Sequence, residues 1–373
     1  MIKYLIAILD KQATSFCYYE NPDYYRPASA LMPRAELEKT VDYAARNKIA
    51  VNFLYGNRRL PAPYEDLIES IDHVKIMPLK LRREMSDGIF VINRDDRQEI
   101  GRLEENFHLN LILRLERGAL GELAGIFRSL LGKFRRLNLC LLNMEDYRPE
   151  DLTEYGKQLA KIEQYAADEY RAGNMPEINF ISDRFMLQNM NNCDAGITHL
   201  TVAPNGKLYL CPGFYYDNAE NSLGTWQPEI EIKNSRLLRL NHAPICRNCD
   251  AYQCKRCLFL NQKITGEINT PSSQQCIASH LERNTSGRLL DALKPVIESF
   301  RPYVSIPAIP YLDPFEIINN LAAQEVDYRE RERSIAGLLS KPLENMTTKE
   351  LLFQVYRLDK ELLMQLKNIV REE

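Results

Sequence analysis

The spacing of the cysteines between Cys193 and Cys276 constrains this chain more than any other feature. Seven of its nine cysteines fall there: Cys193, Cys211, Cys246, Cys249, Cys254, Cys257 and Cys276. Twelve residues, Gly206 and four further residues separate Cys193 from Cys211. After a gap comes Cys246-x2-Cys249-x4-Cys254-x2-Cys257, and after a second gap Cys276. Thiolates two to four residues apart converge on one metal or cluster without straining the backbone. Inert core cysteines have no reason to cluster in this way. Four thiolates per site suit zinc or an iron–sulfur cluster, and ligand type alone does not separate the two. Seven thiolates do not divide into two closed sites of four. Either one site keeps an open position, where a ligand binds, or another residue fills it. His199 and His242 flank the module and are candidates, although a solvated or hydrogen-bonded histidine is the plainer reading.

The residues between the cysteines help to gather them. Thr198–Val202 reads as a strand, Pro204-Asn205-Gly206 as a turn and Lys207–Leu210 as the return strand. Asn-Gly favours the centre of a tight hairpin, which brings Cys193 and Cys211 close together. Pro212 and Gly213 then turn the chain away.

The rest of the chain reads as α/β. Strands are predicted at Lys3–Leu9, Ala50–Leu54, Val74–Met77, Ile89–Asn93, Leu109–Leu115, Leu137–Asn143 and Ile178–Ser182. They are short and rich in Ile, Leu and Val, as parallel strands covered on both faces are. Helices are predicted between them at Pro33–Asn47, Tyr64–Ser70, Gln98–Asn106, Leu120–Phe134 and Pro149–Ala172, with Pro33 and Pro149 at first-turn positions. Strand–helix repetition means a parallel sheet with crossover helices. Six or seven such units make a partial (β/α) barrel, with function at the C-terminal ends of its strands. Pro302, Pro307, Pro310 and Pro314 mark a semi-rigid linker. Beyond it, helices are expected near Phe315–Ala323, Tyr328–Leu339 and Thr348–Val370, the last carrying an apolar stripe from Leu351 to Ile369.

Composition narrows the partners. Basic and acidic residues nearly balance, 48 against 51, so no basic bias points to nucleic acid. No apolar run reaches membrane-spanning length. The opening stretch, Met1 to Asp10, turns polar too soon for a signal peptide and reads as a first strand. An odd number of cysteines in metal-like spacing argues for a reducing cytoplasm, not for disulfides.

The cysteine pattern resembles a SPASM domain, the C-terminal twin-cluster module of many radical S-adenosylmethionine enzymes that modify peptides. The family's four-cysteine block usually has spacings of five and three residues where this chain has four and two. The resemblance implies two [4Fe–4S] clusters, one held by Cys193, Cys211 and Cys257, the other by Cys246, Cys249, Cys254 and Cys276. Zinc is the alternative. A barrel at 1–190, a SPASM-like module at 191–282 and a linker with helices at 283–373 complete the expected layout.

Such enzymes carry Cys-x3-Cys-x-aromatic-Cys after strand one, three thiolates for a cluster that binds S-adenosylmethionine. Asp10, Thr14, Phe16 and Cys17 stand at the matching places here. The family's Gly-Gly-Glu-Pro after strand two is replaced by Phe53-Leu54-Tyr55-Gly56-Asn57-Arg58. One thiolate cannot hold a [4Fe–4S] cluster. The chain therefore looks like a radical enzyme that has kept its fold and lost its initiator. Cys17 is the one catalytic candidate, as a reactive thiol, although a relic or packing cysteine is the plainer reading. Cys140, mid-strand, reads as core. The Tyr18, Tyr19, Tyr24 and Tyr25 run would line a groove or pack under a loop. Lys80, Arg82, Arg83, Arg135 and Arg136 read as solvated faces.

The opening Tyr4-Leu5-Ile6 strand, the stretch Ser15 to Asn21, and Ile68 to His73 with Lys75-Ile76 resemble the CXXX repeat peptide maturase family. That resemblance implies a partner peptide, ribosomally made, with cysteine at every fourth residue. Alternatives from other classes are a non-catalytic module that presents the peptide to a second modifying enzyme, and a zinc-stapled structural protein.

Overall fold

One ten-stranded sheet organises the computed structural model, in the order β10-β9-β8-β1-β2-β3-β4-β5-β6-β7. Residues 2–26, 30–104, 108–226, 230, 232–294 and 306 are described. The proline-rich linker and the three C-terminal helices expected from the sequence lie outside the described residues, except Ile306. Residues 1–313 cluster as one compact unit.

The barrel half alternates strand and helix. Its elements are β1 Tyr4–Ile8, α1 Arg34–Asn47, β2 Ala50–Leu54, α2 Ala62–Glu69, β3 His73–Pro78, β4 Ile89–Ile92, α3 Arg97–Ile100, β5 Asn110–Leu115, α4 Leu123–Leu130, β6 Arg136–Leu141, α5 Pro149–Arg171 and β7 Glu177–Ile178. From β1 to β7 each strand pairs in parallel with the next. The chain never reverses its direction of travel across these strands, so the sheet winds as an open barrel. Helix faces follow the expected spacing. In α1 the buried residues are Leu37, Thr40, Val41 and Ala44, and in α4 they are Leu123, Ala124, Phe127 and Leu130.

Because side chains alternate along a strand, two cores form. Leu5, Ala7, Val51, Phe53, Phe90, Leu111, Leu113 and Leu139 pack among the helices, while Ile6, Ile8, Leu54, Ile76, Val91 and Ile112 form a second, smaller cluster. Fully burying one such side chain contributes about 1.5–3 kcal/mol.

Several predicted ends shift, for local reasons. The strand expected at Ile178–Ser182 stops after Ile178, because Ser182 Oγ donates to Ile178 O at 3.1 Å and accepts from Ile178 N at 2.7 Å, which bends the chain. The strand expected to reach Asn143 ends at Leu141, with Asn143 in the left-handed region at φ 56°. The helix expected from Leu120 begins with a 3-10 turn at Arg117–Glu122. Arg136 is not a solvated charge: it pairs with Glu177 at 2.9 Å and Asp183 at 2.6 Å where β6 and β7 meet.

The second half contains α6 Asp183–Met186, β8 His199–Val202, β9 Lys207–Tyr209, α7 Pro212–Asp217, β10 Gly224–Thr225, α8 Leu258–Thr265 and α9 Ser273–Leu293. Here the sequence pattern understates the architecture. The hairpin of β8 and β9 is no separate ribbon, since β8 pairs in parallel with β1 and continues the barrel sheet. Its turn also differs from a two-residue Asn-Gly loop. Gly206 N donates to Ala203 O at 2.9 Å and Ala203 N to Lys207 O at 3.0 Å, with Gly206 at φ +72°. That is a three-residue loop whose last position needs the left-handed region, which glycine supplies. Helix α9 runs back along α5, joined by Tyr155 Oη donating to Glu282 Oε1 at 2.7 Å and by the Arg288–Glu163 pair at 2.8 Å.

Candidate metal centre

The small inner core does not fill the barrel. A partly open cavity of about 390 Å³ remains. Strand side chains line it at Tyr4, Ile6, Asn52, Ile76, Ile112 and Asn138; α9 contributes Gln275, Ala278, Ser279 and Glu282. Six cysteines also line it: Cys17, Cys140, Cys193, Cys211, Cys254 and Cys257. No disulfide joins any of the nine cysteines.

Each thiol arrives by a different local device. Cys211 follows β9 and caps α7, and Cys257 caps α8, accepting from Leu260 N at 3.4 Å. Both therefore sit where helix N–H groups favour a thiolate. Helix α7 can approach this closely because residue 213 is glycine; a Cβ there would lie 2.5 Å from the Phe259 ring. Cys193 is carried in by backbone pairing of its loop with the later cysteine run, through Asn191 N to Tyr252 O at 2.7 Å and Cys193 N to Lys255 O at 2.8 Å.

Charge sorts the cysteines into two groups. Burial raises the Cys257 thiol well above its ordinary range, and nearby Cys17, Cys193 and Cys211 raise it further. Cys211 is raised by burial, then by Cys17 and Cys193. Cys17 is pushed up to about 12 by burial and by Cys193. In the other group, burial and then Cys254 push Cys246 up to about 12, with Cys249 adding to the shift. Burial pushes Cys249 up to about 11, with Cys254 and Asp250 adding to it. Cys276 stands on α9, one turn before His280. Crowded thiols of this kind ionise only when a positive centre joins them.

The scaffold around the second group is rigid. Arg283 is buried and holds Asp250 through Nε at 3.0 Å, while Arg184 Nε donates to Asp250 O at 2.9 Å and its guanidinium lies 4.1 Å from the Tyr252 ring. Arg256, also buried, donates to Asn192 and Asn269 at 2.7 Å each and to Leu238 O. Those acceptors are neutral oxygens. Burial lowers its pKa, and nearby Cys246, Asp194, Cys193 and Cys254 oppose the fall.

The histidines divide. His242 is exposed. His199 is buried, lines the cavity and stacks on Tyr4 at 4.8 Å, and burial lowers its pKa to about 4. Sequence reasoning passed over His280, whose Nε2 lies 3.4 Å from Cys249 Sγ. Its signal was present: Cys276 and His280 are four apart, hence on one face of a helix. Glu282 was missed too. Burial raises its pKa to about 7, although Tyr155 and Gln253 hydrogen bonds oppose the shift.

The tyrosine run splits as well. Tyr18 lines the cavity, Tyr19 is buried against Tyr216 at 5.4 Å, Tyr24 is buried and Tyr25 is exposed. Cys140 is buried, but on the cavity side of β6.

Solved structures of anSMEcpe share this architecture. One with bound AdoMet matches at a TM-score of 0.50 and 12% identity, over 80% of this chain and 97% of that one. Others, with bound AdoMet and the Kp18Cys or Cp18Cys peptide, match at 0.51 and 12% or 11% identity, over 79% of this chain and 99% of those. The fold is that of the radical S-adenosylmethionine/SPASM enzymes. No protein-family model matches the chain, and no curated protein does.

The loop after β1 is held by its own polar groups. Asp10 and Thr14 are buried and hydrogen-bonded: Asp10 Oδ1 accepts from Gln12 N at 2.7 Å, and Thr14 Oγ1 accepts from Asn93 Nδ2 at 3.1 Å. Arg114 ties the loop down, donating to Tyr19 O at 2.8 Å, Glu20 at 2.7 Å and Asn93 Oδ1 at 3.0 Å.

The donor set around the cavity, six thiols, fits an iron–sulfur cluster by its chemistry, as soft thiolates also fit zinc. Buried His199 Nδ1, Gln253 Oε1 and Gln275 Oε1, all on cavity-lining residues, have no hydrogen-bond partner, as polar atoms awaiting an occupant would.

Proposed function

We propose that this chain is an iron–sulfur protein of peptide maturation, which binds or modifies a cysteine-rich, ribosomally made precursor and does not cleave S-adenosylmethionine itself. The observation that carries the reading is the cysteine-lined cavity within a barrel of the radical S-adenosylmethionine/SPASM fold. In this reading residues 1–190 are the barrel, 191–282 the twin-cluster module and 283–373 an extension. Cys193, Cys211 and Cys257 belong to the first cluster and Cys246, Cys249, Cys254 and Cys276 to the second. Bound clusters would supply electron transfer. The chain supplies a partly open, mostly apolar cavity with Asn52, Asn138, Asn179 and Lys255 as polar contacts for a peptide backbone. The neighbours with bound peptides support a peptide as ligand, and the sequence resemblance to the CXXX repeat peptide maturases supports one rich in cysteine. The packed, hydrogen-bonded Asp10 and Thr14 support the loss of the initiator. We place the protein in the cytoplasm.

Three measurements test this. Protein prepared anaerobically should contain iron and sulfide and should bind a cysteine-repeat peptide more tightly than its serine counterpart. Zinc without sulfide would leave a stapled scaffold in its place. The same protein should form no 5′-deoxyadenosine under reducing conditions with S-adenosylmethionine; formation abolished by Cys17→Ala would falsify the loss of the initiator. Binding without any turnover would favour the presenting module that serves a second enzyme.

A further inference from the structure

The seven-cysteine count leaves the first cluster one thiolate short. We propose that Cys17, from the loop after β1, is its fourth ligand, so that the barrel closes the site the cysteine module leaves open. This deepens the reading above and rests on it.

Geometry carries the assignment. Cys17 lines the same cavity as Cys193, Cys211 and Cys257. Cys17 is an electrostatic neighbour of all three, beside Cys211 and Cys257 and itself beside Cys193. Two other groups line the cavity: Cys140 on β6, and His199, which stacks on Tyr4 at 4.8 Å.

The loop is also held as a ligand loop must be. Arg114 Nε donates to Cys17 O at 3.4 Å and its Nη2 to Tyr19 O at 2.8 Å, so the backbone at and just after the thiol is fixed from β5. A ligand held on a rigid element gives up little conformational freedom on binding. Closing the ring from the barrel also ties β1 to the β8–β9 hairpin through the cluster, in addition to their shared sheet.

The test uses the full chain, prepared anaerobically as wild type and as Cys17→Ala, Cys17→Ser, Cys140→Ser and His199→Gln variants. Iron and sulfide are assayed, and EPR spectra of the reduced proteins are recorded with and without cyanide, a ligand for an exposed iron. The wild type should hold about eight iron and eight sulfide, two clusters' worth, and its spectrum should ignore cyanide. Cys17→Ala should either lose half its iron or keep it and show one of two signals shifting with cyanide. Cys17→Ser, which keeps an oxygen donor, should hold both clusters with one altered signal. Cys140→Ser and His199→Gln should keep the wild type's iron and sulfide and, like it, ignore cyanide. If Cys17→Ala matches the wild type, or the wild type already shifts with cyanide, the assignment of Cys17 is overturned while the two-cluster reading stands. A wild type without sulfide overturns both.

Discussion

Two buried polar regions of this barrel meet at Cys17 and end differently. On one side lies the loop from Asp10 to Asn21, with Asn93, Asp96 and Arg114. Its polar groups answer one another: Asn21 Nδ2 donates to Lys11 O and Ala13 O at 2.8 and 2.7 Å, Asn93 N to Asp96 Oδ2 at 3.1 Å, and Arg114 closes the set. The Tyr19 hydroxyl is the exception. On the other side lies the cysteine cavity, with raised thiols and with His199, Gln253 and Gln275 each leaving a buried atom unpartnered. A buried polar group without a partner costs about 1–3 kcal/mol. The first region closes on its own hydrogen bonds, while in the proposed reading the second is completed by an occupant.

The largest expected effect falls on the second side. Cys249→Ala removes a thiolate from the group bolted by Arg283 and Arg184, and binding energy there is also folding energy. We expect a loss of about 4 kcal/mol or more, seen as lost solubility and iron. Unchanged denaturation would show that this group is not a folding staple.

Next comes Arg114→Ala. It strips Asn93, Tyr19 O and Glu20 of their donor within a buried network and should cost about 3 kcal/mol, read from the denaturant midpoint. The contrast between the two regions sharpens if Arg114→Ala destabilises equally with and without iron, and weakens if the effect vanishes in the iron-free protein.

Gly213→Ala sets a methyl group against the Phe259 ring and should cost about 2 kcal/mol by overpacking. Because the same contact seats Cys211 and Cys257, iron should fall in parallel. Destabilisation with full iron content would separate packing from the metal site.

Cys193→Ala should disturb the fold least. It should remove about half the iron, one cluster of two, and leave the thermal midpoint close to that of the wild type. Loss of all iron would show that the two cysteine groups fill together.

What the sequence determined by itself was periodicity and spacing. Short apolar runs separated by helical stretches fixed a parallel barrel, because strands covered on both faces have no other composition. Clustered cysteines marked the module, because spacing along the chain is a local property. His280 was readable in principle, four residues beyond Cys276. Only the tertiary structure decided which distant groups share one cavity. That β8 joins β1, that Cys17 faces the module's thiols, that Arg114 from β5 pins the loop after β1 and that Glu282 reaches Tyr155 across two helices are all contacts between residues far apart in the chain. No local pattern encodes them, since each depends on how the sheet curls and on where α9 returns.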